Sequence, residues 1–460
     1  MRNRLKRRLQ NRNKMMKTKY DIIIIGFGKA GKTLAAKLAQ SGKSVALIEK
    51  DAKMYGGTCI NVGCIPSKRL ITDAADSPGG DFFAKGEYYR NAIEEKRRLT
   101  AALRKANYDK LIQAGVDVID GTASFTDEHH IRVLTKDDTK SLEGGRFVIN
   151  TGSVPVMPEI AGAEESGKVY VSETIMDLKE LPGALTIVGG GYIGLEFASM
   201  YAGFGSKVTI VQDGSTFLPR EDEDLSASIR SVLEAKGIRI ITGAITTEIQ
   251  SGDLFYEANG KSETLEGDAI LLATGRRPNT DGLGCANAGI ALTARGGVET
   301  DEHLRTSVKH IWAAGDVCGK LQFTYVSLDD SRIILDDMNG TRDRTTENRG
   351  AFSYSVFLDP PFSRVGMSET EAKAAQLEYR LVSLPANSIP KAKVIRKTEG
   401  LLKALIAPDG TILGAGLFCA ESHEMINLIK LAMDHQLKAE VLRDFIFTHP
   451  TMSESFNDLI

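Results

Sequence analysis

The stretch Ile22-Ile23-Ile24-Ile25-Gly26-Phe27-Gly28-Lys29-Ala30-Gly31 returns 163 residues later as Leu185-Thr186-Ile187-Val188-Gly189-Gly190-Gly191-Tyr192-Ile193-Gly194. The register persists beyond the glycines: Gly42 aligns with Gly205 and Val45 with Val208, so Ile22–Lys50 and Leu185–Asp213 form an internal repeat. Each copy opens with a short aliphatic run that suits a buried parallel strand. Each then passes a glycine turn into an Ala-, Leu- or Met-rich helical stretch and ends in a second strand, SVALIE (44–49) or KVTIVQ (207–212). Strand–turn–helix–strand, twice, predicts two parallel α/β domains.

Both turns read G-x-G-x-x-G. In such a turn the first glycine permits the tight bend, the second lets a pyrophosphate approach the backbone, and the third lets helix and strand pack closely. The helix N-terminus then offers N–H groups and partial positive charge to phosphate. One copy alone also describes an ordinary glycine-rich turn; two in the same register point to two dinucleotide sites. Glu49, at the end of the second strand of the first copy, is expected to bind ribose hydroxyls. The matching residue of the second copy is Gln212, which neither repels a 2′-phosphate nor attracts one, so the choice of NADH or NADPH stays open.

Composition agrees. The chain has 460 residues, 42% hydrophobic and 26% charged, with a net charge of −2. That is enough apolar material for two to four domains and excludes bulk disorder. Apolar runs such as Ile22–Ile25 fall far short of the roughly 18 residues of a membrane span. Five cysteines suit a reducing cytoplasm better than a secreted disulfide framework. Residues 1–19 hold nine Lys or Arg and no acid. They read as a basic disordered tail or a mis-assigned start ahead of Met15 or Met16. The body is correspondingly more acidic, which argues against nucleic acid as a partner.

Further strands end in recognisable turns. Asn150-Thr151-Gly152 follows RFVI, Ala273-Thr274-Gly275-Arg276-Arg277-Pro278 follows AILL, and Ile311-Trp312-Ala313-Ala314-Gly315-Asp316 places a carboxylate at a strand's C-terminal end. From about Arg342, short β-like runs (YSVFL, LLKALI, ILGAGLF) precede helical stretches (MINLIKLAMDH, KAEVLRDFIF), which reads as a third, α+β domain. The expected division is 20–155 and 276–341 for the first dinucleotide domain, 156–275 for the second, and 342–460 for an interface domain.

The segment Gly56-Gly57-Thr58-Cys59-Ile60-Asn61-Val62-Gly63-Cys64-Ile65-Pro66-Ser67-Lys68 carries the chemistry. In an ideal helix, residues five apart are separated by about 7.5 Å of rise and about 140° of rotation. That exceeds the roughly 7 Å Cα separation a disulfide tolerates. A bond between Cys59 and Cys64 therefore needs a distorted helix start. Gly63 permits one, and Pro66 offers no N–H to the Val62 carbonyl. A strained, accessible disulfide suits redox chemistry. Structural zinc is disfavoured, because Cys285, Cys318 and Cys419 are scattered singly and read as packed small hydrophobes. The spacing of Cys419 and His423 leaves open a copper-landing role.

This segment resembles the redox motif of the flavin-dependent pyridine nucleotide–disulfide oxidoreductases, a family that includes glutathione reductase, dihydrolipoamide dehydrogenase and mercuric reductase. The resemblance spans about residues 20–460 and includes His449-Pro450-Thr451-Met452-Ser453-Glu454. It implies FAD on the first domain, held by Gly26, Gly28, Gly31, Glu49, Gly57, Thr58, Thr151, Gly152 and Asp316. It implies NADH or NADPH on the second, held by Gly189, Gly191, Gly194, Gln212 and Gly275, with Tyr192 as an aromatic lid. It implies that Cys64 is the thiolate facing the flavin and Cys59 the interchange thiol. Lys68 and Glu196 would be the ion pair beside the flavin. His449 would be the acid–base group, oriented by Glu454 and reaching the cysteines of a second subunit in a homodimer.

Gly26–Thr33, Met54–Gly57, Leu321–Tyr325 and Ser422–Asn427 look like the bacterial reactive-chlorine-resistance branch, which implies copper(II) reduction under oxidative stress. The segment Ser453–Ile460 carries no second cysteine pair, so efficient mercury turnover is not expected. A dithiol–disulfide reductase for a small thiol or lipoamide, and a flavin-binding redox sensor with little turnover, are the competing readings. The intact set Cys59, Cys64, Lys68, Glu196 and His449 argues against the sensor.

Overall fold

A computed structural model describes residues 17–460. The basic stretch 1–19, apart from its last three residues, lies outside the described residues. The chain divides into two compact units, one of 17–61, 101–154 and 277–348, the other of 62–100, 155–276 and 349–460. Among the described residues, no helix is long and apolar enough to cross a membrane.

The first unit is built on a seven-stranded sheet. Lys19–Ile25 is central, paired in parallel with Val45–Glu49 (Ile22 opposite Val45) and with Thr139–Ile149 (Ile25 opposite Ile149). Val45–Glu49 is buried along its whole length, as its unbroken aliphatic run requires. Thr139–Ile149 changes partners along its 11 residues: His130–Leu134 runs antiparallel to its first half, Ile311–Ala313 parallel to its last three residues. Helix Lys29–Gln40 packs its Ala30, Leu34 and Leu38 side into a core with Trp312 and Ile333.

The second unit holds the second copy and the C-terminal domain. Its parallel sheet runs Arg239–Ile241, Lys207–Val211, Ala184–Val188, Ala269–Leu272, Val169–Val171. The C-terminal sheet is antiparallel, in the order Ser353–Val356, Phe362–Gly366, Ile412–Phe418, Leu401–Ile406, Arg380–Pro385. Of the helical stretch expected from Met425 to His435, helix Ser422–Asp434 covers all but His435, which caps its end. The helix expected over 438–447 is shorter, Ala439–Arg443. The Asn457 amide donates to the carbonyls of Leu442, Arg443 and Phe445, satisfying the helix end from outside and freeing the chain to leave it. Phe445 and Ile446 are exposed in consequence, Ile446 by 93%.

Lys403 joins the two α/β layers of this unit. Its side chain is 2% exposed, and its ammonium meets Asp222 at 3.1 Å, Asp224 at 2.9 Å and Glu369 at 2.7 Å. Burial alone would lower its pKa; the bonds it donates to Glu369 and Asp224 and the charge of Asp222 outweigh that and raise it. Bonds from Lys373 and Lys403 hold the Glu369 carboxyl down to about 2. Removing the cation strands buried Asp222, so Lys403→Met should cost about 3–5 kcal/mol of stability, read from a urea midpoint. The Glu369 contribution, present above the ordinary carboxylate range, should be lost as pH falls towards 2.

Candidate active site

The two glycine turns share a geometry. Gly26 and Gly189 sit at φ +103° and +110°, in the left-handed region that favours glycine. A Cβ on either would lie within 2.5 Å of a crossing carbonyl, Asn150 O at 2.3 Å or Ala273 O at 2.5 Å. Gly31 and Gly194 pack on the carbonyls of Gly26 and Gly189, at 2.5 and 2.1 Å from the same imaginary Cβ. The middle glycines differ. A Cβ on Gly191 meets nothing within 4 Å, so its absence leaves open space at the start of helix Tyr192–Phe204. A Cβ on Gly28 would lie 2.3 Å from Asn150 Oδ1. In the first copy the middle glycine is therefore demanded by the protein's own asparagine as well as by any phosphate.

Asn150 was not among the expected site residues, although it begins the Asn150-Thr151-Gly152 turn. It is 5% exposed. Its Oδ1 accepts from Gly31 N at 2.9 Å, and its Nδ2 donates to Ala314 O at 2.6 Å. It thereby joins the helix N-terminus to the turn before Asp316. Asp316 Oδ2 accepts from Ser153 Oγ at 2.7 Å, and Thr151 Oγ1 donates to Asn279 O. The Gly152 backbone faces Thr58 Oγ1. Glu49 closes the first turn: Oε2 accepts from Phe27 N at 3.0 Å and Oε1 from Asp51 N at 3.2 Å. Burial pushes its carboxyl up despite these bonds. Each oxygen keeps a further lone pair for a hydroxyl donor.

The cysteine segment is a broken helix. Thr58–Asn61 makes one turn, Val62 and Gly63 interrupt it, and Cys64–Ala75 starts again with Gly63 as its N-cap. Pro66 falls in the first turn of the second helix, where its missing N–H costs nothing. In the first unit, Gly57 takes φ +83°, and its missing Cβ would lie 2.8 Å from Gly28 Cα. The Cys59 turn thus rests directly on the first glycine turn. Cys59 is half-buried; Cys64, in the second unit, is exposed.

Lys68 lies one helical turn after Cys64, on the same face. Its ammonium meets Glu196 Oε2 at 2.5 Å and stands 4.7 Å above the Phe357 ring. Glu196 Oε1 accepts from Phe357 N at 2.9 Å. The expected pair is present, with Phe357 as a third member that only the fold reveals. The His423 ring lies 5.3 Å from Phe357. Cys419 is fully buried, 3.8 Å from Met425 Sδ, and burial pushes its thiol up to about 12. That is a packed side chain, unsuited to landing copper. The other two lone cysteines, Cys285 and Cys318, are buried too.

Tyr192 does not stand alone. Its hydroxyl bonds to Glu221, as does that of Tyr354, and the two hydroxyls lie 3.2 Å apart. Burial and the Glu221 charge push the phenol of Tyr192 well up. Gln212 spends its amide N–H groups on Gly214 O and Thr216 O, closing its own loop. Gly275 accepts from Val156 N at 3.0 Å. His449 Nδ1 and Glu454 Oε2 lie 2.7 Å apart, with the ring 72% exposed.

These turns, the cysteine helix and the antiparallel C-terminal sheet define a class. The chain belongs to the pyridine nucleotide-disulphide oxidoreductases: that family's model matches residues 20–331, and its dimerisation-domain model matches 352–460. It is an FAD-dependent NAD(P)H oxidoreductase with two dinucleotide-binding α/β domains and a dimerisation domain. Among individual proteins, it is 47% identical over 443 residues to the probable pyridine nucleotide-disulfide oxidoreductase RclA of Escherichia coli, covering 96% of this chain and 98% of that one. It is 32% identical to a mercuric reductase of Staphylococcus aureus, covering 95% and 81%. A solved structure described as a Cu(II) complex of the HOCl-induced flavoprotein disulfide reductase RclA from Escherichia coli superposes with a TM-score of 0.91 at 46% identity, covering 96% and 99%.

The residues present fit the two dinucleotides. The open space at Gly191 is a cradle that a Cβ would fill, and Glu49 offers buried acceptors to ribose hydroxyls. The stability of the first turn rests on Asn150. Asn150→Ala orphans Gly31 N–H and the Ala314 carbonyl and should cost about 2–4 kcal/mol. Asn150→Asp, which keeps the acceptor but turns a carboxylate on that carbonyl, should not rescue it. Urea unfolding and retained FAD are the measurements.

Proposed function

We propose that this chain passes electrons from NADH or NADPH through the Cys59–Cys64 pair to copper(II), or to a related metal ion or oxidant, in cytoplasmic defence against reactive chlorine. The observation that carries the reading is the broken helix of the cysteine segment, whose first turn rests on the first glycine turn. The similarity to RclA supports the acceptor and the stress. We assign 20–155 and 276–341 to FAD, 156–275 to NAD(P)H and 342–460 to a homodimer interface.

FAD, when bound, couples hydride chemistry to a dithiol. Gly26, Gly28, Gly31, Gly57, Thr58, Thr151, Gly152, Glu49 and Asp316 hold it; Gly189, Gly191, Gly194, Gln212 and Gly275 hold the nicotinamide dinucleotide, with Tyr192 beside them. Lys68, fixed by Glu196, supplies positive charge on the cysteine helix. Cys64 sits at the first position of a twelve-residue helix, whose N-terminus favours its thiolate. Cys59 meets the acceptor. Oxidation of the Cys64 thiolate and the Cys59 thiol to the disulfide releases one proton and two electrons, and the electrons reduce two copper(II) ions to copper(I). His449 takes up a proton at Nε2, its Nδ1 being occupied by Glu454. Its exposure on the single chain suits a site on a second copy.

NADH-reduced protein should yield copper(I) in a single turnover, trapped by a chelating dye. Cys59→Ser should lose at least nine-tenths of it; undiminished reduction without Cys59 would remove the thiol route. Assays with mercury(II), oxidised glutathione and lipoamide should rank below copper. Gln212 carries no carboxylate to repel a 2′-phosphate, so kcat/KM for NADH and NADPH should differ by less than about a thousandfold, roughly 4 kcal/mol.

A further inference from the structure

Glu221 stands in the loop before helix Glu223–Ala235, and its side chain is 1% exposed. A buried acid needs partners, and this one is held from two sides. From the C-terminal sheet come Tyr354 and Arg364, directly opposite each other on the antiparallel strands Ser353–Val356 and Phe362–Gly366. The Tyr354 hydroxyl donates to Glu221 Oε1 at 2.5 Å, and Arg364 Nη1 meets Oε2 at 3.5 Å. Arg364 Nη1 also donates to Arg220 O at 2.8 Å. The next residue, Asp222, is gripped by the same domain: Lys403 Nζ lies 3.1 Å from its Oδ2, and Glu369 N donates to its Oδ1 at 2.9 Å. The loop therefore holds Glu221 in one place.

The other partner is Tyr192, whose hydroxyl donates to the same Oε1. Its ring lies 5.4 Å from that of Tyr354, which packs in turn at 6.0 Å on Phe352 and 6.4 Å on Phe362. Burial, then the charge of Glu221, push both phenols well up, so both stay donors at neutral pH. Tyr192 is the first residue of helix Tyr192–Phe204, next to the open space at Gly191. Its bond to a desolvated carboxylate is of the strong, charge-assisted kind. A ring held this way moves only when that bond breaks, and the cost weakens the binding of whatever displaces it.

We infer that Glu221 is a positioning residue of the nicotinamide site: it latches Tyr192 through the phenol hydroxyl, and entry of the nicotinamide ring breaks the latch. The inference rests on the proposed role of Tyr192 as the lid of that site.

The test uses the FAD-loaded full chain, mixed rapidly and anaerobically with NADH. Loss of the oxidised flavin band against NADH concentration gives a Kd and a limiting rate. Tyr192→Phe keeps the ring and removes the hydroxyl; Glu221→Gln keeps the volume and weakens the acceptor. Each should lower the Kd about three- to tenfold and leave the limiting rate within about twofold. In the Tyr192→Phe background, Glu221→Gln should add nothing further. Calorimetry repeats the comparison without turnover: NAD⁺ should gain likewise, whereas ADP-ribose, which lacks nicotinamide, should bind parent and variants alike. An unchanged or raised NADH Kd in Tyr192→Phe overturns the inference, whether or not Glu221→Gln folds. So does a Glu221→Gln effect that persists in the Tyr192→Phe background, or an equal gain for ADP-ribose; either reduces Glu221 to a structural acid. Tyr192→Ala separates latch from lid. If it leaves the NADH Kd unchanged, the lid reading fails and the inference with it. If it shifts the Kd while Tyr192→Phe does not, the lid stands and the latch fails.

Discussion

The amide of Asn150 is the contact on which the first dinucleotide turn depends. Its carbonyl oxygen caps a helix N–H at Gly31, its NH₂ holds Ala314 O, and its bulk fills the space a Cβ on Gly28 would need. One buried side chain thus fixes where helix Lys29–Gln40 begins, how close it comes to the sheet, and where the chain turns after Ile311–Ala313. Replacing either half of the amide leaves a buried polar group without a partner, which costs more than the bond itself contributes. The same geometry brings Gly57 onto Gly28, so the position of Cys59 inherits the precision of that turn.

The two copies of the repeat solve one backbone problem with different neighbours. Both need a left-handed first glycine and a third glycine pressed on its carbonyl. The crossing strands are not equivalent: Asn150 reaches back into the first turn, whereas the Ala273 side chain, a methyl group, makes no such bridge. The second turn is left open at Gly191 and bordered instead by Tyr192, whose hydroxyl is shared with Glu221 and Tyr354. That network is a low-dielectric cluster in which the phenols stay neutral and donate to one carboxylate.

Charge is placed where the chemistry of sulfur requires it. Lys68 is held between Glu196 and the Phe357 ring, a cation with both an ionic and an aromatic partner. Lys32 is held by the backbone carbonyl of Gly56, in the cysteine segment. The fixed cations and a helix N-terminus divide the work. The acids of the unit's interior, Asp222 above all, are neutralised by Lys403 and stay out of it.

The repeat, its glycines, the cysteine spacing and the strand-end acids were legible because they are constraints a chain carries locally. A left-handed bend needs glycine, and a broken helix needs Gly63. Buried parallel strands need unbroken aliphatic runs. The resemblance carried by the motif from Gly56 to Lys68 supplied the family. What the sequence could not determine is who fills the space around those motifs. Phe357, Glu221, Tyr354 and Lys403 lie far along the chain from their partners and sit in segments without a motif. The helix over 438–447 ends early because a single amide, Asn457, arrives from fourteen residues beyond Arg443. Asn150 was visible as the start of a turn, but its double hydrogen bond exists only once three strands and a helix meet. Local backbone demands are written in residue types; partnerships between buried polar groups are decided by the tertiary fold, because each such group must find whichever partner packing brings within reach.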